Sequence, residues 1–391
     1  MANSLLTPTA VTREILRVAH EKGTFIGTTN QTYDDSYAQT GAKIGTALKI
    51  RQPNKYTVRT GKTLDAQDTS ETSVTLTLAT QKGVDMNFSS AELTMELDDF
   101  SKRIIQPATA VLVSTLEYDY LSYVTKKVYN GVGTAGTTPN SMLFFGQARA
   151  KLNQCLAPKD DNRSIQINSD AMATMVNAYS ALFHDQTEIK RQYLDGFISR
   201  NSGFDWYENE RIWTLTNGSD HTTVTVNDAS IADGDAALTT AGGSVTAGTI
   251  FTIDNVYAVH PETKQNLGYL QQFTVLADAT TSWTFSPAYY STGANQNVNA
   301  LPVTTAAITL VGSASTAYEQ HLAYHKDAFA FVTADLEMPQ GVHFASRQNM
   351  DGLSIRVVRQ YDINNDNIPA RLDILHGYEA IRPEWACRIT G

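Results

Sequence analysis

Long apolar runs are missing from this chain of 391 residues. No stretch approaches the roughly 18 apolar residues of a membrane-spanning helix, so none is expected to cross a bilayer. The opening MANSLLTPTAVTREILRVAH has neither a basic lead nor an apolar core, so no secretory leader is expected. Cysteine is scarce: Cys155 and Cys387 allow one disulfide and exclude a disulfide framework. Charged residues make up only 18%, and their balance is −10, a sign that suits a surface that must not stick to nucleic acid. Between Arg211 and Lys326, Lys264 is the sole cation.

Chemical motifs are missing as well. G-x-S-x-G does not occur. Gly61-Lys62-Thr63 imitates the end of a phosphate loop, but the upstream glycine such a loop needs is Tyr56. The histidines are scattered. His321 and His325 share helical spacing, without the intervening Glu of a hydrolytic zinc helix, and read as a surface or half-buried pair. Asp362-Ile-Asn-Asn-Asp-Asn opens like a calcium loop, but its sixth residue is Asn367 where that loop needs Gly, so a β-turn is expected. No catalytic residue, cofactor or metal is expected, and a structural role follows.

What is present is organised around Ser89–Asn130, a helical stretch. Ser89 or Ser90 caps it, with Glu92 close behind; Glu96, Asp98 and Asp99 suit the positive end of a longer second helix. Phe100, Ile104, Ala108, Val111, Leu112, Thr115, Leu116, Tyr123 and Val128 recur at helical steps, and Lys126, Lys127 and Asn130-Gly131 end it. Pro107 should kink the helix or mark a restart. A helix of roughly 30 residues would be about 45 Å long.

Around that strut the pattern changes by segment. Ala10–His20 reads as a short helix, followed by a polar arm. KIRQPNKYTVRTG and SVTLTLATQKGVDMNF read as two strands around a polar loop, too thinly apolar to stand alone. This is also the most basic part of the chain, with Lys43, Lys49, Arg51, Lys55, Arg59 and Lys62. LFFGQARAKLNQCLAP and AMATMVNAYSALF, the latter capped by Ser169 or Asp170, read as helices around the strand SIQINS. From Arg211 to Lys326 short β-runs separated by turn-formers give the signature of a small sandwich or barrel, inserted in a helical pattern that resumes near Tyr318. The runs flanking Asn364–Asn367 read as a hairpin.

This order of parts resembles the major capsid proteins of tailed bacteriophages, and the inserted β-domain is similar to that of the P-twenty-two-type coat family. Three stretches carry the likeness: Gly248–Asp278, Phe88–Ala108 and Gly377–Glu384. The resemblance implies an α+β, HK-ninety-seven-type fold with a long spine helix, an extended β-hairpin loop and an inserted all-β barrel. It divides the chain into an arm (1–49), the extended loop (50–87), a peripheral domain with the spine helix (88–142), a capsid body (143–212 with 318–391) and the barrel (213–317). It implies pentamers and hexamers in an icosahedral shell around double-stranded DNA bound without sequence specificity. The shell would assemble in the host cytoplasm with a separate scaffolding protein, a portal at one vertex and room for a decoration protein. One intersubunit contact is expected to be electrostatic, with Lys49, Arg51, Lys55, Arg59 and Lys62 of the loop facing Glu92, Glu96, Asp98 or Asp99 of the next subunit. A tail or surface-appendage subunit and a hydrolase with an accessory β-domain stand as alternatives.

Overall fold

The computed structural model describes residues 15, 23–32, 47–64, 66–67, 71–89, 106–180, 200–350 and 353–391. Its helices are Thr24–Thr28 (α1), Gln106–Lys127 (α2), Met142–Gln154 (α3) and Ser169–Ser180 (α4). The first strands are Ala47–Arg51 (β1), Ser73–Thr77 (β2), Thr80–Ser89 (β3), Gly131–Gly133 (β4), Arg163–Ile167 (β5), Asp205–Glu208 (β6) and Thr214–Thr216 (β7). Val224–Val226 (β8), Ala237–Ala241 (β9), Ile250–Val259 (β10), Asn266–Val275 (β11), Ser282–Ser286 (β12) and Ala307–Leu310 (β13) follow. Ala317–His325 (β14), Phe329–Ala334 (β15), Phe344–Met350 (β16), Leu353–Arg359 (β17), Asn367–Ala380 (β18) and Ala386–Thr390 (β19) complete the set. The chain divides into two compact units.

The first unit joins Met1–Ile50, Ser73–Tyr120 and Phe329–Ile381. β18 is the axis of its sheet, pairing antiparallel with β3, β17 and β15, while β16 extends β17. Alternation along β18 turns Ala370, Leu372 and Ile374 to a buried face. Leu112, Val113 and Leu116 of α2 meet Leu353, Ile355 and Ile374 there. Tyr120 closes one end, its ring 4.8 Å from Phe25 and 5.3 Å from both Phe331 and Tyr378. Glu117, though buried, is satisfied by α1: it accepts hydrogen bonds from Thr24 Oγ1 at 3.1 Å and from the Phe25 N–H.

One expectation about the strut is corrected. Val111 and Thr115 are exposed. The buried line instead runs through Leu112, Leu116, Tyr120 and Val124 at four-residue steps, and Val111 lies about 100° around the helix from it. The described helix has 22 residues, with Pro107 at its second position; Ser90, Glu92, Glu96, Asp98, Asp99, Phe100 and Ile104 lie outside the described residues, as does the helix expected at Ala10–His20 apart from Ile15.

The second unit joins Arg51–Thr72, Leu121–Ala328 and Arg382–Gly391. Its body sheet runs β4-β19-β14-β5-β6. Phe145 and Leu152 of α3, Met172 and Met175 of α4, and Ile165, Trp206 and Ile389 fill one core cluster. Asn168 caps α4, its Oδ1 accepting from the Ala171 N–H at 2.9 Å, which moves the cap one residue ahead of the expected Ser169. The chain near Tyr318 continues as strand, not helix: β14 pairs with both β5 and β19 and so satisfies its backbone in a sheet.

β10, β11, β12, β9, β8 and β13 close the expected barrel. Its neck is a strand pair, Thr214–Thr216 against Ala317–Glu319. Phe251, Phe273, Trp283 and Phe285 fill the core with ring centroids 5.4–5.9 Å apart. Tyr289 joins them, fully buried, and its hydroxyl has no hydrogen-bond partner. Tyr289→Phe is therefore expected to raise stability by about 1 kcal/mol, read by chemical denaturation, because it removes only an unsatisfied group. Phe285→Ala in the same core should cost about 3–5 kcal/mol.

Candidate subunit interface

The basic segment after β1 is strand only through Arg51. From Gln52 to Gly61 the expected strand is replaced by an irregular leg, since alternation of Tyr56 and Val58 finds no apolar surface to cover. A backbone hydrogen bond and one side chain tie this leg to the returning one. Gln52 N–H donates to Thr72 O at 2.8 Å. Gln67 then imitates a strand partner for Thr57, accepting its N–H at 2.8 Å and donating to its carbonyl at 2.6 Å. Sequence reading missed Gln67, which carries no motif.

The loop so held is exposed from Lys55 to Leu64. Lys49, Arg51, Lys55, Arg59 and Lys62 all face solvent, beside Tyr56, Leu64 and a Val58 that is 95% exposed. Arg51 pairs with Glu71 at 3.2 Å on the same loop, and Arg59 donates to the Gly61 carbonyl. Exposed apolar and cationic side chains thus share one tied loop. The acidic half of the expected pairing, Glu92, Glu96, Asp98 and Asp99, lies outside the described residues.

No group of three or more His, Cys, Asp or Glu among the described residues is placed to hold a metal ion. Asp362 forms the expected turn, accepting from Asn364 N–H at 2.9 Å and from Asn365 Nδ2 at 2.7 Å. His321 and His325 both lie on β14, so their helical spacing was misleading: in a strand, a step of four also returns to one face. His325 meets Asp160 at 2.9 Å, whereas neither ring nitrogen of the buried His321 has a hydrogen-bond partner. Both cysteines are free, and burial pushes their thiols up, Cys155 to about 11 and Cys387 to about 12. Such thiols are poor nucleophiles at neutral pH.

Two buried charges went unread. Asp373, fully buried in β18, accepts from Arg356 Nη2 and Arg371 Nε, each at 2.7 Å. Arg388, fully buried in β19, donates from Nη1 to Gly248 O at 2.6 Å and from Nη2 to Thr274 Oγ1 at 3.1 Å. Burial pulls its guanidinium down to about 9.

The described chain thus combines an α+β body, a barrel grown from a paired neck and an exposed cationic loop. The chain belongs to the P22 coat protein family (gene protein 5), whose model matches residues 9–391. It is a major capsid protein of the tailed-phage type, a shell-forming part of the virion, which sets aside the appendage alternative. No curated protein matches the chain. Among solved structures it is similar to one from Mycobacterium phage Che8 at 12% identity, covering 93% of this chain and 89% of that one with a TM-score of 0.49. It is also similar to a virus-like particle from Pyrococcus furiosus at 6% identity, 96% of each chain and a TM-score of 0.40. The CUS-3 coat protein I-domain aligns with 26% of this chain and 96% of its own, at 28% identity and a TM-score of 0.19.

Proposed function

We propose that the subunit assembles into pentamers and hexamers of an icosahedral shell around phage double-stranded DNA, in the host cytoplasm. A separate scaffolding protein, a portal at one vertex and a decoration protein are its proposed partners. The shell holds DNA by enclosure, without reading its sequence. The observation that carries the reading, beyond family membership, is the exposed strip of Lys55, Tyr56, Val58, Arg59, Lys62 and Leu64, which the subunit's own fold leaves uncovered.

Residues 50–87 act in this reading as the extended loop reaching over a neighbour, with 1–49 as the arm, 88–142 as the peripheral domain and 143–212 with 318–391 as the body. The barrel, 213–317, projects outward. Lys49, Arg51, Lys55, Arg59 and Lys62 face Glu92, Glu96, Asp98 or Asp99 of the next copy, where charge complementarity sets docking rate and register. The double variant Arg51→Glu/Arg59→Glu should stay folded, since both side chains are solvent-exposed. Its assembly, followed by light scattering, should slow by about tenfold or more. Wild-type assembly of that variant would remove this pairing from the account.

A further inference from the structure

The barrel and the body sheet have separate interiors. The barrel cluster draws on residues from Val224 to Leu310, and the body cluster on Val132, residues of α3, β5, α4 and β6, and β14 and β19; they share no residue. What joins them beyond the neck is largely polar, with Ile250 of β10 packed on Gly131 of β4 as an apolar contact. On β11, Phe273 and Val275 point into the barrel, so Gln272 and Thr274 fall on its outer face. Gln272 caps the edge of β4 as a backbone partner would, accepting from Gly131 N–H at 3.0 Å and donating to Gly131 O at 2.8 Å. Thr274 Oγ1 donates to Lys126 O at 2.9 Å and accepts from Arg388 Nη2. Arg388 Nη1 holds the Gly248 carbonyl, and Lys151 Nζ sits 3.6 Å over the Tyr269 ring. The turn at Gly248 has φ +96, and a Cβ there would lie 2.5 Å from the Trp213 ring, so only glycine seats it.

We infer that this seam is a latch, with Arg388 and Gln272 as its positioning residues, that opens as a unit while the barrel core and the body core stay folded. The physics follows from what opening exposes. Beyond the Ile250–Gly131 contact it uncovers little shared apolar surface, because the two core clusters have no residue in common. It also returns to water a guanidinium whose buried partners are a carbonyl and a hydroxyl, with Nε bonded to nothing, so part of the lost bonding is recovered as hydration. A subunit with such a latch has a second rigid-body state, in which the barrel is free to turn on its neck. The inference rests on geometry within the subunit and stands apart from the coat reading.

Gly131 N–H reports the latch, because its hydrogen bond ends on the Gln272 side chain. Val226 N–H, bonded to Ala306 O at 2.9 Å, reports the barrel itself. Residue-resolved hydrogen exchange on the full-length soluble subunit should show Gly131 exchanging at least about tenfold faster than Val226. Thr274→Val leaves Lys126 O and Arg388 Nη2 without their partner while keeping the residue's shape. It should speed Gly131 exchange by about tenfold more and leave Val226 unchanged. Thr274→Ser, which keeps the hydroxyl, should retain the wild-type rate. The latch is overturned if Gly131 and Val226 exchange together in the wild type, or if Thr274→Val changes neither or accelerates both equally.

Discussion

Asp373→Asn is expected to destabilise the first unit by about 3–5 kcal/mol, because it strips the shared counter-charge from two arginines. The carboxylate is fully buried, while Arg356 is 16% and Arg371 56% exposed, so Arg356 is the partner that can least recover hydration. Burial alone would raise the carboxyl; hydrogen bonds from Arg356, Arg371 and Gln81 outweigh that and hold it below the usual carboxylate range. A depressed carboxyl contributes stability that is present above the unfolded value, near 3.9, and lost as pH falls through the folded one. The site also explains Gly83 on the facing strand: a Cβ there would lie 2.6 Å from Asp373 Oδ1 and 2.5 Å from Leu372 O. Chemical denaturation of the soluble subunit checks the expectation. The pair Asp373→Leu/Arg356→Met should recover most of the loss, as apolar replacement of buried ion pairs often does. A loss below about 1 kcal/mol for Asp373→Asn would show that the arginines have other counter-charges.

Acid should weaken both units, through His321 in one and His376 in the other. Burial lowers each ring to about 4; at His376 the Lys82 charge adds to it. Neither ring nitrogen of either residue has a hydrogen-bond partner. The unfolded chain binds the proton near pH 6.5 and the folded one only near 4, so stability falls as pH drops through that window and levels off below it. At ~1.4 kcal/mol per pH unit the effect is about 3 kcal/mol for each histidine. His321→Leu and His376→Leu should each flatten the profile of stability against pH between 6.5 and 4 for its own unit, with little change at pH 8. A profile as steep as wild type in both variants would place the acid sensitivity elsewhere.

Much of the fold was legible because it rests on periodicity. The barrel announced itself through short β-runs and the near-absence of Lys and Arg, and Gly248–Asp278 holds its two longest strands. The hairpin of β17 and β18 followed from a turn-former cluster between two apolar runs. The failures were local patterns overruled by pairing. Tyr318–His325 has helical spacing of apolar residues and histidines, yet becomes the central strand because β5 and β19 flank it. The leg from Gln52 to Gly61 alternates like a strand but has no partner strand among the described residues. Of the candidate interface, the cations were legible by composition. Gln272 and Arg388 were not, because each acts through partners more than a hundred residues away, and Gln67 and Asp373 were not, because no motif marks their nearer partners.

Electron microscopy of the protein, expressed alone and with a scaffolding partner, tests the shell-forming role most directly. The account predicts closed shells or curved sheets of hexagonal units, with a diameter that limits the number of subunits. Monodisperse small oligomers under every condition would contradict it.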